Sequence, residues 1–238
     1  EEQGKLTEEL KKEIESALTL VAVDDLYRPF RPKRRTRAMI AIEKGLENFA
    51  NYIYEEKLGT PAPEEAKKYL SDKEGLEVET PEDAIVGAMD IIAEKISDDA
   101  TFRNKIRDLS FKQGILTSVA KDETTESVYE NYYNFAESVS KTAGYKILAI
   151  NRGEEEKILT VKLDPPVEEI IRYLEKCIIK KHNVHTEQIL KDTIDDAYKR
   201  LIAPSIERDI RSSLTEKAED EAIKVFGKNL TQLLMQPP

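Results

Sequence analysis

Tryptophan is absent from the 238 residues, cysteine occurs once, histidine occurs twice and glycine only nine times. The single cysteine, Cys177, cannot form an internal disulfide or build a structural zinc site, and such usage is typical of a reducing cytoplasm. No apolar run approaches the roughly 20 residues that a membrane-spanning helix needs. No basic stretch followed by an apolar one opens the chain, as a secretory signal would. We therefore expect a cytoplasmic protein without a membrane partner.

Charged and helix-forming residues dominate what is present. Charged residues make up 35% of the chain, hydrophobic residues 39%, and the net charge is −10. Frequent Glu, Lys, Leu, Ile and Ala favour helices. The length allows one large domain or two small ones with a buried core. Because the chain begins at Glu1 without methionine and ends at Pro238 directly after an apolar helical run, we expect a piece of a longer protein.

Several helix starts can be read directly from the sequence. The clearest is Thr80–Asp83, which combines a hydroxyl N-cap, a proline at the first helical position and carboxylates beside the positive helix end. The apolar residues of 84–96 then recur on one helical face. Thr7 and Thr36 predict two earlier starts, and Gly45 predicts an end in the left-handed conformation.

The middle of the chain is less regular. Residues 115–128 lack helical periodicity and predict a loop that has room for a short strand at its start. Short helices are predicted at 129–139 and 145–152, with Gly153 ending the second. Residues 158–163 alternate like a strand, but no second strong strand is visible to pair with it.

The last third of the chain predicts three helices, at about 167–181, 186–202 and 204–235. The third would be on the order of 45 Å long at 1.5 Å per residue, which exceeds the diameter of a domain of this size. Its apolar tail, Leu230–Met235, has no evident partner here. We expect that tail to be exposed in this chain and buried in a longer protein.

These elements predict an all-α fold, a multi-helix array with a long C-terminal helix and at most a minor strand element. Residues 1–238 are expected to form a single helical region, and a subdivision near 115–128 is the open alternative. No tandem repeat or low-complexity tract interrupts the pattern.

The outstanding local feature is the basic segment Arg28–Arg37, which has no acidic residue. Pro29 and Pro32 keep it extended, and Tyr27 and Phe30 supply aromatic faces, so it can follow a phosphate backbone. Removing its six charges from the total of −10 leaves −16 for the rest of the chain, so the same residues can pair with acids instead. Both interpretations stay open. The candidate nucleic-acid-binding residues are Arg28, Arg31, Lys33, Arg34, Arg35 and Arg37.

Metal and thiol chemistry have little support in the sequence. His182 and His185 lie three residues apart, but Lys180 and Lys181 would repel a metal ion and further ligands are lacking nearby. We expect ordinary exposed histidines and no metal site. Cys177 lies among apolar residues of its helix, which favours a buried structural thiol over a nucleophile.

Other polar and aromatic clusters have structural explanations. The aromatic residues of 129–135 could stack on bases, but helical spacing favours core packing. The pair Asp90 and Glu94 and the charged turn at 207–211 are typical of solvated helix faces or local ion pairs. The sequence has no glycine-rich phosphate loop, nucleophile elbow or zinc spacing. It predicts no catalytic residue and no cofactor.

Four ordered blocks of the sequence stand out together: DLYRPFRPKRRTRA at 25–38, AIVGAMDIIAE at 84–94, LAINRGE at 148–154 and PSIERDIR at 204–211, continued by Asn229 and Leu230. These blocks resemble signatures of the bacterial Tex family of transcription accessory proteins. Lys146 stands where that family generally has arginine, and Asp209 where it has glutamate, so both departures keep the charge.

The resemblance implies that this chain is the N-terminal helical region of a much longer protein. Tex proteins continue into a nuclease-like domain, helix-hairpin-helix elements and a C-terminal OB-fold RNA-binding domain, all absent from this sequence. They are similar to a eukaryotic elongation factor that binds histones and RNA polymerase. The family is regarded as binding nucleic acid in transcription without enzymatic activity, and its main nucleic-acid contact is attributed to the OB-fold domain.

We therefore expect a non-catalytic scaffold of a transcription accessory factor. It is expected to bind nucleic acid, RNA rather than DNA, through phosphates and without strong sequence specificity. The alternative is a protein-interaction platform that docks the transcription machinery or braces the downstream domains. An enzyme is the weakest alternative, because the candidate chemistry would lie in the absent nuclease-like domain. We expect this chain to be monomeric.

Overall fold

A computed structural model describes residues 7–17, 20–31, 35–124 and 126–235. The chain divides into two compact units. The first unit contains Glu1–Lys105 and Val167–Ser205, and the second contains Ile106–Pro166 and Ile206–Pro238. That residues 1–238 form a single helical region stays a prediction, as does the alternative of a subdivision near 115–128.

Helices form most of the described structure, and a small antiparallel sheet in the second unit is the remainder of its regular structure. The helices are α1 (Glu8–Ser16), α2 (Leu20–Tyr27), α3 (Arg37–Glu43), α4 (Glu47–Tyr54), α5 (Ala62–Ala66), α6 (Pro81–Asp98), α7 (Ala100–Gln113), α8 (Gly144–Glu155), α9 (Val167–Ile178), α10 (Glu187–Asp196) and α11 (Ala203–Leu234). The strands are β1 (Ile115–Ala120), β2 (Asn134–Ser138) and β3 (Leu159–Asp164). Among the helices that the structure describes, none is both long and apolar enough to cross a membrane. The expectation of a mainly helical fold with a minor strand element and a long C-terminal helix is confirmed.

Helix α6 lies at the centre of the first unit and begins as the sequence predicts. The Thr80 hydroxyl accepts from the Asp83 backbone N–H at 3.1 Å, and the Asp83 carboxylate accepts from the Thr80 N–H at 3.1 Å. This reciprocal capping box satisfies two donors that the first turn would leave free. Gly87 faces Leu46 and Ala41 so closely that a Cβ there would overlap Leu46. The glycine therefore permits close packing of the α3–α4 region against α6.

The sheet of the second unit has the order β2-β1-β3, with both pairs antiparallel. Leu116 of β1 lies opposite Glu137 on one side and Leu163 on the other. Leu116 and Leu163 are buried, whereas Ile115 and Val119 are exposed. This alternation is typical of a sheet with one face on the core and the other in solvent.

Two expectations for the middle of the chain are wrong. The helix predicted at 129–139 is a 3-10 turn at Glu130–Tyr132 followed by β2, because pairing with β1 overrides the helical spacing of the aromatic residues. Gly153 does not end α8. It lies inside the helix, where a Cβ would approach Leu159 and Tyr129 too closely. The strand predicted at 158–163 is β3, and its partner is β1.

The two helices predicted at 186–202 and 204–235 are joined rather than separate. A π-helical turn, Ala197–Ile202, connects α10 to α11. Pro204 has no N–H to donate, and its ring crowds the carbonyl four residues earlier, at Arg200. The wider π-helical turn accommodates this. Further along α11, all residues of 222–235 are exposed.

Candidate nucleic-acid interface

The basic segment connects α2 to α3 in the first unit. A 3-10 turn, Arg28–Phe30, follows α2 directly and contains Pro29, and Arg31 is extended. Thr36 then caps α3, with its side chain accepting from the Met39 N–H at 3.1 Å. Two of the predicted site residues, Lys33 and Arg34, lie outside the described residues.

A buried ion pair fixes the helix from which the basic segment emerges. Arg103 of α7 is 1% exposed and donates from Nε to Asp25 Oδ1 of α2 at 2.5 Å. Its Nη2 donates to Ser205 Oγ at 3.0 Å. Burying a charge costs much free energy unless the charge is paired and hydrogen-bonded. Moving α2 would separate Asp25 from Arg103, so this contact fixes the position of α2.

Arg28 continues this attachment. Its Nε donates to Asp98 Oδ1, the last residue of α6, at 3.3 Å, and the two side chains are 29% and 14% exposed. A cation at the C-terminal end of a helix also interacts favourably with the helix dipole. The geometry gives Arg28 a structural role.

Two further arginines of the segment, Arg31 and Arg35, lie in solvent. Arg31 is 60% exposed and pairs with Asp24 at 3.7 Å, and Arg35 is 64% exposed and pairs with Glu43 at 2.6 Å. Exposed pairs of this kind contribute roughly 0–1 kcal/mol, so another anion can replace the carboxylate. The structure therefore gives Arg28 a largely buried partner and leaves Arg31 and Arg35 accessible, and phosphate binding by the segment stays a prediction.

Arg37 lies at a groove between α3 and α6, with a volume of about 510 Å³. Burial raises the pKa of Asp90 in this groove, against the opposing effect of Arg200 and Arg37. Arg200 Nη2 of the π-helical turn donates to Asp90 Oδ1 at 2.9 Å. Four carboxylates and two cations line the groove, so its charge disfavours phosphate. The charged lining residues are Arg37, Lys44, Glu77, Glu79, Asp83 and Asp90.

A second basic surface in the first unit is the α9–α10 loop, residues 179–186. The buried carboxylate of Glu56 accepts from the backbone N–H groups of Lys180 and Lys181, each at 2.7 Å, and of Asn183 at 3.3 Å. Burial raises the pKa of Glu56, but these backbone donors outweigh it and lower the pKa below its ordinary value. Several backbone amides of the loop thus converge on this one carboxylate, and the carboxylate fixes the position of the loop.

Further contacts fix the same loop. The Asn183 side-chain nitrogen donates to the carbonyls of Glu56 at 3.1 Å and Leu58 at 2.8 Å, and Lys181 Nζ donates to the carbonyl of Glu55 at 2.8 Å. His182 has a φ of +51°, in the left-handed region. Sequence reasoning considered this loop only as a metal site and missed its support by Glu56, which is more than a hundred residues away. The described residues contain no cluster of three or more metal-ligating side chains.

The aromatic cluster of 129–135 belongs to the packing of the second unit. Tyr129 is buried, and its hydroxyl donates to Glu156 Oε1 at 2.9 Å. Tyr132 and Phe135 pack edge to face with their ring centres 5.7 Å apart. Cys177 of the first unit is half-buried, and its thiol lies beside Tyr173 of the same helix, α9.

The charged turn at 207–211 makes specific contacts within the second unit. Glu207 Oε1 accepts from the Leu163 backbone N–H of the edge strand β3 at 3.3 Å, and Asp209 pairs with Arg107 at 3.0 Å. Arg211 pairs with Glu154. These charges hold α11 against α7, α8 and the sheet, as local ion pairs rather than as a reactive site.

Comparisons with known proteins show the family of the chain. The Tex central region-like family matches residues 59–226. The uncharacterized protein YdcI of Bacillus subtilis is 48% identical over 240 residues, covering 100% of this chain and 33% of its own length. The transcriptional accessory protein Tex of Neisseria gonorrhoeae is 33% identical over 248 residues, covering 100% of this chain and 32% of its own.

A human relative extends the match beyond bacteria. The S1 RNA-binding domain-containing protein 1 of Homo sapiens is 31% identical over 255 residues, covering 99% of this chain and 25% of its own length. The chain thus spans a third or less of these relatives. Because the family match takes in more than half of the chain, the chain belongs to the Tex family.

Proposed function

We propose that this chain is a non-catalytic helical scaffold of a cytoplasmic Tex-family transcription accessory factor. Its basic segment binds the phosphates of nucleic acid, RNA rather than DNA. Arg31, Lys33, Arg34 and Arg35 make the contacts, Arg28 anchors the segment, and Arg37 lies at the acidic groove that disfavours phosphate. Phosphate contacts carry no base information, so the binding has little sequence preference.

The observation that carries the proposal is the exposure of Arg31 and Arg35 beside a fixed attachment point. The anchor formed by Arg28 and Asp98 restricts the segment before a ligand arrives, which reduces the entropy lost on binding. Guanidinium groups also suit phosphate, because they present planar, paired donors. Two relatives, a transcriptional accessory protein and an S1 RNA-binding domain-containing protein, have names that are consistent with this role.

The salt dependence of oligonucleotide binding by the 238-residue chain tests the proposal. If about three phosphates are neutralised, the slope of log K against log salt is roughly −2 to −3. Replacing Arg31, Lys33, Arg34 and Arg35 with alanine flattens that slope. The melting temperature and helix content stay unchanged, because Arg28 keeps its pair with Asp98.

A control with the same change in net charge separates local contact from overall repulsion. Lys73, Lys121, Lys217 and Lys224 are exposed. Their fourfold alanine variant should keep the slope of the unmodified chain. A basic-segment variant that loses stability, together with an unmodified chain that shows no salt-sensitive binding, contradicts the proposal.

The second candidate function is a protein-interaction platform, and the distal part of α11 favours it. Phe226, Leu230 and Leu233 share one face of that helix and are all exposed. Exposed apolar stripes of this kind are typical of docking surfaces. Replacing the three residues with serine should leave oligonucleotide binding unchanged while abolishing capture of a protein partner, such as RNA polymerase. Loss of oligonucleotide binding in that variant contradicts this second candidate.

A further inference from the structure

We propose that the α9–α10 loop is a second phosphate-binding surface for nucleic acid, distinct from the basic segment. The inference rests on the proposed nucleic-acid binding of this chain, and it adds a contact that the sequence pattern did not predict. Lys180, Lys181 and His182 supply the donors.

The first argument is the balance of charge at the loop. Lys180 is exposed, and no carboxylate that the structure describes lies within ion-pair distance of its ammonium group. Lys181 Nζ donates to the Glu55 backbone carbonyl, and its charge acts on the Glu55 carboxylate only from beyond ion-pair distance. His182 is 71% exposed, with Nδ1 3.4 Å from Glu187 Oε2. The two lysines thus present more positive charge than their own contacts neutralise, and the exposed His182 ring lies beside them.

Three acids beside the loop are already engaged. Glu55 pairs with Lys57, and Glu187 pairs with Lys191 at 2.7 Å. Glu56 is buried and accepts from the backbone N–H groups of the loop. A phosphate approaching Lys180 therefore meets few free carboxylates, in contrast to one approaching Arg31 or Arg35.

The second argument is rigidity. The backbone donors of Lys180, Lys181 and Asn183 all converge on one carboxylate, and the Asn183 side chain adds two more bonds. A loop held in this way loses little conformational freedom when a ligand binds. The left-handed residue His182 lies in the same stretch, and backbone strain of this kind concentrates at binding sites.

The third argument is position within the first unit. Tyr54 ends α4, and Lys95 Nζ of α6 lies 4.1 Å from the centre of its ring. The next residue, Glu55, accepts from Lys181, whereas Arg28 binds Asp98 one turn after Lys95. The loop and the start of the basic segment therefore meet the same end of α6. One nucleic-acid strand could contact both.

Lys180→Glu tests the inference, because Lys180 is exposed and its side chain makes no contact that folding needs. Fluorescence anisotropy with an oligouridine, a single-stranded DNA of the same length and a duplex measures binding by the 238-residue chain over a range of salt. Loss of one phosphate contact should weaken binding on the order of fivefold at low salt and flatten the salt slope by about 1. Lys180→Gln should give a smaller loss in the same direction.

Lys73→Glu is the matched control, since it makes the same charge change at an exposed position of the first unit. Equal binding losses in Lys180→Glu and Lys73→Glu overturn the inference, because the effect would then be general repulsion. Unchanged binding in Lys180→Glu also overturns it, while the proposed role of the basic segment stands. If the unmodified chain shows no salt-sensitive binding, the proposed function and this inference fail together.

Discussion

The basic segment and the α9–α10 loop show that the density of positive charge in a sequence differs from the charge that a ligand meets. The segment has six basic residues in ten positions, yet Arg28, Arg31 and Arg35 each have a carboxylate partner. The loop has fewer cations, but the neighbouring acids are occupied by lysines or by backbone donors. Folding thus neutralises part of the positive charge of the basic segment and leaves the smaller charge of the α9–α10 loop accessible.

The two regions are also fixed by different means. The basic segment is anchored through side chains, by Arg28 on Asp98 and by the buried pair of Arg103 and Asp25. The loop is anchored through its backbone on Glu56. Substitutions can therefore release one region while leaving the other in place.

The largest effect is expected from Arg103→Ala. This change leaves the Asp25 carboxylate buried without its cation, which typically destabilises a protein by about 3 to 5 kcal/mol. Urea denaturation at neutral pH measures the loss. Arg31→Ala is the control, because its exposed pair with Asp24 should contribute under about 1 kcal/mol. Similar losses in the two variants would show that burial does not distinguish these pairs.

Glu56→Gln should have the next largest effect, about 2 kcal/mol, because the amide has a single acceptor oxygen for several backbone donors. Faster hydrogen exchange at Lys180, Lys181 and Asn183 should accompany the loss, with the basic segment unaffected. Glu55→Gln is the matched control, since that carboxylate is exposed and pairs with Lys57 rather than with backbone donors of the loop.

The same variant should change the acid dependence of stability. The pKa of Glu56 is lower in the folded state than in the unfolded state, so its contribution is present above the unfolded pKa and lost as the pH falls through the folded pKa. The difference in unfolding free energy between the unmodified chain and Glu56→Gln should therefore shrink below about pH 4. A difference that is constant between pH 7 and pH 3 would contradict this role of the carboxylate.

The smallest effect separates two arginines within the basic segment. Arg28→Ala should cost roughly 1 kcal/mol of stability, because it breaks a half-buried pair. Arg35→Ala should leave stability unchanged and flatten the salt slope of binding by about 1. Thermal melts and anisotropy titrations of both variants give the comparison. An exchange of the two phenotypes would reverse the roles assigned to these residues.

Local signals in the sequence were sufficient where a helix depends on its own residues. Thr80 and Pro81 start α6, Thr36 caps α3, and Gly45 follows α3 with a φ of +83°, all as predicted. Each of these features depends on hydrogen bonds within a few residues, which a cap or a glycine determines directly.

The remaining features depend on contacts between distant parts of the chain. β2 exists because β1 pairs with it, and Gly153 is required by Leu159 and Tyr129 rather than by a helix end. The partners of the basic segment were equally hidden, since Asp98 is 70 residues from Arg28. Composition showed that acids were available for pairing, but not which of them folding brings to each arginine.

The exposed end of α11 has a consequence for how this chain behaves on its own. With all residues of 222–235 in solvent, the last turns have only helix propensity and local pairs to hold them. Such turns open one after another from the end, and each opening presents an extended backbone to a protease. Trypsin should therefore cut first after Lys224 and Lys228, trimming the chain to its packed part before either unit unfolds.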